Sequence, residues 1–168
     1  MAKIVMRRGV YETNSSSSHS MCISNKDGTC IDTETILNLL NVHGVWKLKD
    51  LYYGRSPLRI LNTFSEKALY YIAATKGKEV DKVSEIVKKY VPEFTKFEPD
   101  NDDWEPWGYV ENTSFLGWMR DNHIDLEDFL TKEKYFIVTD GDEYNVFTGL
   151  VESGLLSKDV NVSTSWDG

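Results

Sequence analysis

A chain of 168 residues that is 40% hydrophobic and 12% aromatic can bury one core, and this composition excludes bulk disorder. The formal net charge of −8 argues against direct nucleic-acid binding, because neutralising phosphates requires an excess of Lys and Arg. The two cysteines have neither CxxC nor zinc-type spacing, and no apolar run is long enough to span a bilayer. We therefore expect a protein of a reducing cytoplasm, away from membranes.

The N-terminal part of the chain predicts two β-strands separated by a polar loop. Residues 3–10 alternate in the manner of a strand, and residues 21–24 form a second, shorter one. Between them, positions 15–20 hold five serines and one of the three histidines of the chain. We therefore expect a serine-rich loop, Asn14–Ser20, that joins the first two strands of an antiparallel sheet.

The middle of the chain predicts three helices and one strand. A helix is expected over residues 33–42, and the alternation over residues 46–49 is typical of a half-exposed strand. Thr63 and Glu66 have the spacing of a capping box, which predicts the start of the second helix. Apolar residues at helical spacing over residues 79–90 predict the third.

Residues 93–112 differ in composition from the rest of the chain. They carry seven carboxylates against one lysine, together with prolines and two tryptophans. We predict an irregular acidic loop here, anchored by its aromatic side chains. It lies inside a single domain that covers residues 1–168.

The C-terminal part predicts further helices and strands. Ser114 and Asp125 are suitable caps for two short helices, and residues 134–139 are rich in strand-forming side chains. A last helix is expected from Asp142, and a final edge strand over residues 160–163. The order of elements predicts an α+β fold, in which helices pack on one face of a mainly antiparallel sheet.

The serine-rich loop is the first candidate site. Its backbone N–H groups and hydroxyls suit a nest that binds phosphate or another anion, and arginines on the preceding strand can add charge. His19 suits a general acid or base, and Ser18 a nucleophile that it activates. Alternatively, the polar side chains satisfy backbone groups in a structural turn. The candidate ligand-binding residues are Arg7, Arg8, Asn14, Ser15, Ser16, Ser17, Ser18 and His19.

The acidic loop is the second candidate. Tryptophans among carboxylates suit an interface with a basic surface, where the acidic side chains would occupy a nucleic-acid groove. An ordinary cover over the core is the alternative. The candidate partner-binding residues are Asp100, Asp102, Asp103, Trp104, Glu105 and Trp107.

Asp140 and Asp142 form the third candidate. Acidic side chains between a strand and a helix can bind a hard cation such as magnesium. Alternatively, Asp140 lies in a turn and Asp142 caps the last helix. We expect no cofactor, and magnesium enters only if the chain binds a nucleotide or phosphate.

Several segments together resemble a known family. They are Glu12–Ser20, Leu61–Tyr71, Gly108–Val110, Asp125–Leu130 and Tyr135–Tyr144, and they span most of the chain. This pattern is similar to that of short proteins encoded by bacteriophages, prophages and related Gram-positive genomes. In that family an Asp-His-Gln sequence often follows the Gly-Tyr pair. Here Glu111, Asn112 and Thr113 stand in its place, which lowers the expectation of an enzyme.

The resemblance implies an accessory protein of a mobile element in a bacterial cytoplasm. The first hypothesis is a non-enzymatic inhibitor that binds a host protein through the acidic loop, for example a CRISPR or other defence nuclease. The second is a nucleotide- or phosphate-binding protein, or an enzyme, with its site at Asn14–Ser20. A structural or assembly protein of the virion is a third.

Overall fold

The computed structural model describes residues 4–6, 17–49, 59–100, 113–140 and 161–167. The β-strands are β1 (Ile4–Met6), β2 (Ser17–Ile23), β3 (Val45–Leu48), β4 (Arg59–Leu61), β5 (Lys96–Pro99), β6 (Tyr135–Asp140) and β7 (Asn161–Asp167). The helices are α1 (Thr33–Leu39), α2 (Phe64–Ala74), α3 (Val80–Tyr90), α4 (Thr113–Asp121) and α5 (Leu126–Thr131). The predicted α+β class is confirmed.

The larger sheet has the strand order β1-β7-β2-β6-β4. Three of its four pairings are antiparallel, and only the β1–β7 pairing is parallel. The first two strands are therefore not neighbours, because β7 from the far end of the chain lies between them. The strand predicted over residues 160–163 is present as β7, but the prediction that it lies at an edge of the sheet was wrong, because β7 lies between β1 and β2. The polar sequence of β7 is typical of an edge, but non-local pairing decides its place.

Strand β2 begins within the serine run, so the predicted loop is wrong from Ser17 onward. Residues 17–20 pair with β7 on one side, and residues 18–20 also pair with β6 on the other. Serine has a weak preference for strands because its side chain competes for backbone hydrogen bonds. The hydrogen bonds that β2 makes with the strands on both of its sides compensate for this weak preference.

The predicted acidic loop is interrupted by a strand. Residues 96–99 form β5, which pairs in parallel with β3 in a separate two-stranded sheet. Its ladder is supported by packing, since the rings of Phe97 and Trp46 lie 4.9 Å apart, and by an ion pair of 3.0 Å between Lys47 and Glu98. The prediction of an irregular loop was therefore wrong for this part of residues 93–112. The acidic composition of this segment gave no indication of β5, because its partner strand β3 lies about 50 residues away in the chain.

Helix α2 lies at the centre of the hydrophobic core, and most of its side chains are buried. Its start confirms Thr63 as the N-cap, because Thr63 Oγ1 accepts a hydrogen bond from the Glu66 N–H at 3.3 Å. The Glu66 carboxylate accepts from the Thr63 hydroxyl at 2.8 Å, which is not the backbone bond of a full capping box. Asp32, which directly precedes α1, is a second acceptor at the start of α2, since its carboxylate accepts from the Ser65 N–H at 2.9 Å. Two acceptors thus satisfy donors that a helix N-terminus leaves unpaired.

Both faces of β2 are buried. Met21 and its partner Ile137 on β6 belong to the core that the helices form. Cys22 and Val138 lie at alternate positions, hence on the opposite face, and are buried too. The larger sheet is therefore covered on both sides at these positions, instead of having one solvated face.

Most remaining predictions concern the ends of elements. Helix α3 and the Asp125 cap of α5 are confirmed, the latter by a bond of 2.7 Å from the Asp128 N–H. Ser114 is not a cap, because α4 already begins at Thr113. Strand β4 was not predicted, and the expected helix after Asp142 lies outside the described residues. Among the helices that are described, none is long and apolar enough to cross a membrane.

Candidate functional site

Among the predicted site residues whose side chains the structure describes, His19 lies in a defined buried contact. It lies in the middle of the sheet on β2, and only 1% of its surface is exposed. Its Nδ1 atom is 2.7 Å from the hydroxyl of Tyr70, on the face of α2 that covers the sheet. This hydrogen bond fixes the orientation of the imidazole ring.

A polar row runs across the same face of the sheet from His19. Thr139 on β6 is the direct partner of His19 on one side and of Arg59 on the other. Side chains of directly paired residues point to the same face. Neighbouring strands lie about 4.8 Å apart, so this row of three residues extends over roughly 10 Å. We call Arg59, Thr139 and His19 the polar row.

The middle of the polar row carries an unsatisfied group. Thr139 is fully buried, and within the described part of the chain its Oγ1 atom has no hydrogen-bond partner. A buried hydroxyl without a partner costs about 1–3 kcal/mol of folding free energy. Most buried polar atoms are paired in native proteins, so this atom calls for an explanation such as a bound ligand or water.

The two ends of the polar row differ in exposure and charge. Arg59 begins the edge strand β4 and is exposed, whereas His19 and Thr139 are covered. The row therefore leads from a cation at the surface to buried polar groups in the interior. Such an arrangement can hold the charge of a ligand near water and bond a second polar atom of it further in.

Part of the nest predicted for Asn14–Ser20 falls on strand β2, while Asn14, Ser15 and Ser16 lie outside the described residues. Residues 17–20 use their backbone N–H groups in the ladders with β6 and β7, so these groups cannot together cradle an anion. Ser18 directly precedes His19 on β2. Its part as a nucleophile that His19 activates stays a prediction.

The other predicted ligand residues cannot be assessed. Arg7, Arg8, Asn14, Ser15 and Ser16 lie outside the described residues. Their part in a site stays a prediction.

The acidic interface also stays a prediction. Asp100 directly follows β5 and is exposed, and its N–H donates to the carbonyl of Leu48 at 3.0 Å. The other predicted contact residues lie outside the described residues, namely Asp102, Asp103, Trp104, Glu105 and Trp107.

The candidate metal residues lie at the limit of the described part of the chain. Asp140 ends β6 opposite Ser18, and Asp142 lies outside the described residues. Within the ranges that the structure describes, no group of three His, Cys, Asp or Glu side chains is placed to hold a metal ion. Magnesium binding stays a prediction.

Sequence reasoning missed two of the residues around His19. Thr139 has a weak signal, because it is a hydroxyl residue that follows four apolar or aromatic positions of β6. Tyr70 has none, since a tyrosine on a buried helix normally indicates core packing. Arg59 was not predicted as a site residue, and its place beside Thr139 follows only from the pairing of β4 with β6.

Comparison of the chain with known proteins adds no identity. No protein-family model, curated protein or solved structure matches it. The resemblance to phage and prophage proteins therefore stays a prediction, and we infer a function from the site alone.

Proposed function

We propose that this protein binds a small ligand with an anionic group, such as a phosphate, at the polar row. The observation that carries the proposal is the buried Thr139 hydroxyl, which has no partner among the described residues although it lies between His19 and Arg59. A ligand oxygen would satisfy this hydroxyl and offset the cost of burying it.

The residues of the row supply complementary chemistry. The guanidinium of Arg59 can bind a phosphate or carboxylate through two parallel hydrogen bonds. The Thr139 hydroxyl can donate to a ligand oxygen or accept from a ligand hydroxyl. His19, whose ring is held by Tyr70, adds a nitrogen of fixed orientation at the buried end.

The burial of the row limits the kind of ligand. A full negative charge deep among His19 and Thr139 would be strongly disfavoured by desolvation. We therefore place the charged group at Arg59 and an uncharged polar atom at Thr139. This placement favours a phosphorylated small molecule with hydroxyl groups over inorganic phosphate alone.

Thermal unfolding in the presence of candidate ligands tests the proposal. Ribonucleotides, sugar phosphates and orthophosphate would each be screened with and without magnesium. A ligand at about 100 times its dissociation constant stabilises the folded state by roughly 2.7 kcal/mol, which is visible as a rise in Tm. The proposal fails if none of the phosphorylated compounds raises the Tm.

Two threonine variants make the test specific. Thr139→Val keeps the shape of the side chain and removes the hydroxyl, so it should abolish the ligand-induced rise in Tm. Thr131→Val is the matched control, because Thr131 is also buried but its hydroxyl donates to the Glu127 carbonyl at 2.7 Å, within α5. If both variants respond to ligand as the wild type does, the ligand binds elsewhere.

A further inference from the structure

Lys67 on α2 is a lysine enclosed in the core. None of its surface is exposed, and its Nζ atom donates to the carbonyls of Lys132 at 3.0 Å and Tyr135 at 2.8 Å. Lysine is almost never fully buried unless it is paired. Two N–H groups of this side chain are thus bonded to the turn between α5 and β6, and one position on its nitrogen remains for another partner.

Cys30 approaches Lys67 from the segment before α1. Its carbonyl accepts from the N–H of Phe64 at 2.9 Å, one helical turn before Lys67. Its thiol lies 3.2 Å from the carbonyl of Leu130, in the same α5–β6 region that Lys67 contacts. The thiol and the Lys67 amine each influence the pKa of the other, so the two groups lie near one another. Cys30 is half-buried, so small solutes can reach it while Lys67 stays enclosed.

Burial shifts the pKa values of both groups. It lowers the pKa of Lys67, so its amine loses its proton more easily than a surface lysine. It raises the pKa of the Cys30 thiol. In its neutral form the Lys67 amine is a nucleophile close to an oxidisable sulfur.

We propose that Cys30 and Lys67 form a sulfenamide cross-link, a covalent Sγ–Nζ bond, when a peroxide oxidises Cys30. In the first step hydrogen peroxide transfers one oxygen to sulfur, its O–O bond breaks, and Cys30 sulfenic acid and water form. In the second step the lone pair of Nζ attacks sulfur, the S–O bond breaks, and the released hydroxide takes a proton from nitrogen to give water. The sulfur is oxidised by two electrons and the peroxide is reduced by two.

The cross-link would tie the segment before α1 to the central helix. It would form from side chains already in contact, and a thiol reductant would reverse it. Because the thiolate is the form that reacts with peroxide, the first step should be slow near neutral pH and faster as the pH rises. This inference is independent of the ligand-binding function proposed for the polar row.

Peptide mass spectrometry of the peroxide-treated folded protein tests the inference. We expect a linked pair of peptides that contain Cys30 and Lys67, lighter than their sum by the mass of two hydrogen atoms, and lost after treatment with a thiol reductant. Cys22 is an internal control, since it is fully buried on β2 and should stay unmodified. A Cys22–Cys30 disulfide would overturn the inference, as would Cys30 that remains a thiol or ends as sulfinic acid without any linked peptide.

Two variants separate the cross-link from general oxidation. Lys67→Arg keeps a donor for the two carbonyls but replaces the amine by a permanently charged guanidinium, so sulfenic acid at Cys30 should persist and be trapped by dimedone. Cys30→Ser should give no linked peptide. Because Cys30 is half-buried, we expect this variant to fold, so it tests the cross-link even if Lys67→Arg fails to fold. A linked peptide that still forms in Cys30→Ser would show that another residue is responsible.

Discussion

Thr139 lies directly opposite His19 in the β2–β6 ladder, and both side chains are buried on the face of the sheet that α2 covers. The imidazole of His19 is bonded to Tyr70, whereas the Thr139 hydroxyl finds no partner among the described residues. A satisfied and an unsatisfied polar group therefore lie side by side in one buried row. The bonded imidazole is a structural contact, whereas the unbonded hydroxyl is the position at which we propose that a ligand atom binds.

Replacing Thr139 by valine should leave the stability of the ligand-free protein unchanged or raise it by about 1 kcal/mol. The reason is that the variant removes a buried hydroxyl without removing a hydrogen bond. The free energy of unfolding from guanidinium titration measures the effect, with Thr131→Val expected to lose about 1 kcal/mol because its hydroxyl is bonded. A loss of stability in Thr139→Val as large as in the control would contradict the unpaired state of the hydroxyl.

Replacing Tyr70 by phenylalanine should destabilise the protein by about 1–2 kcal/mol. The change removes the bond to His19 but keeps the ring, whose centroid lies 5.1 Å from that of Phe115. The adjacent Tyr71→Phe is a matched control, since it loses only the bond of 2.9 Å to the more exposed Glu79. Denaturant titration should show a larger loss in the free energy of unfolding for Tyr70→Phe than for Tyr71→Phe. Equal losses would show that the buried bond to His19 stabilises the protein no more than the exposed one does.

The stability of the protein should fall above pH 9.0 in a way that depends on Cys22. Burial raises the pKa of this thiol above its ordinary value of 9.0, so the folded state keeps a proton that the unfolded chain releases. Above that pH the unfolded state binds fewer protons, and this group lowers stability by up to about 1.4 kcal/mol per pH unit. Below pH 9.0 its contribution is constant.

Unfolding titrations of wild type and Cys22→Ala at about pH 7 and about pH 10 check this expectation. The alanine variant has a constant offset from its lost side-chain packing, and the gap between the two proteins should narrow at the higher pH. Parallel pH profiles would mean that Cys22 is accessible to solvent in the folded state.

Gly44 should not tolerate alanine, and we expect a loss of more than about 2 kcal/mol. Its φ angle is +73°, and a Cβ atom there would collide with the Glu93 carbonyl and the Thr95 hydroxyl. Gly117 in α4 is the control, because a Cβ there meets only Arg120 at 3.5 Å, so Gly117→Ala should gain about 0.5–1 kcal/mol. Thermal unfolding distinguishes the two, and similar Tm values for both variants would refute the close approach at Gly44.

Local signals in the sequence were reliable where the physical cause is itself local. The Thr63 cap of α2 and the Asp125 cap of α5 were predicted because a hydroxyl or carboxylate satisfies N–H groups two or three residues away. The apolar stripe of α3 was predicted because its period follows from helix geometry alone. None of these predictions required knowledge of a distant part of the chain.

The α+β class, most of the helices and the interest of His19 could be predicted from the amino-acid sequence. The three-dimensional structure was needed to show that Ser17–Ser20 form a central strand, that β7 lies between β1 and β2, and that β5 pairs with β3. Strand pairing joins residues tens of positions apart, and its hydrogen bonds come from the backbone, which is the same for every sequence. For that reason Arg59 and Tyr70 lie around His19 without a signal in the chain, and Thr139 with only a weak one.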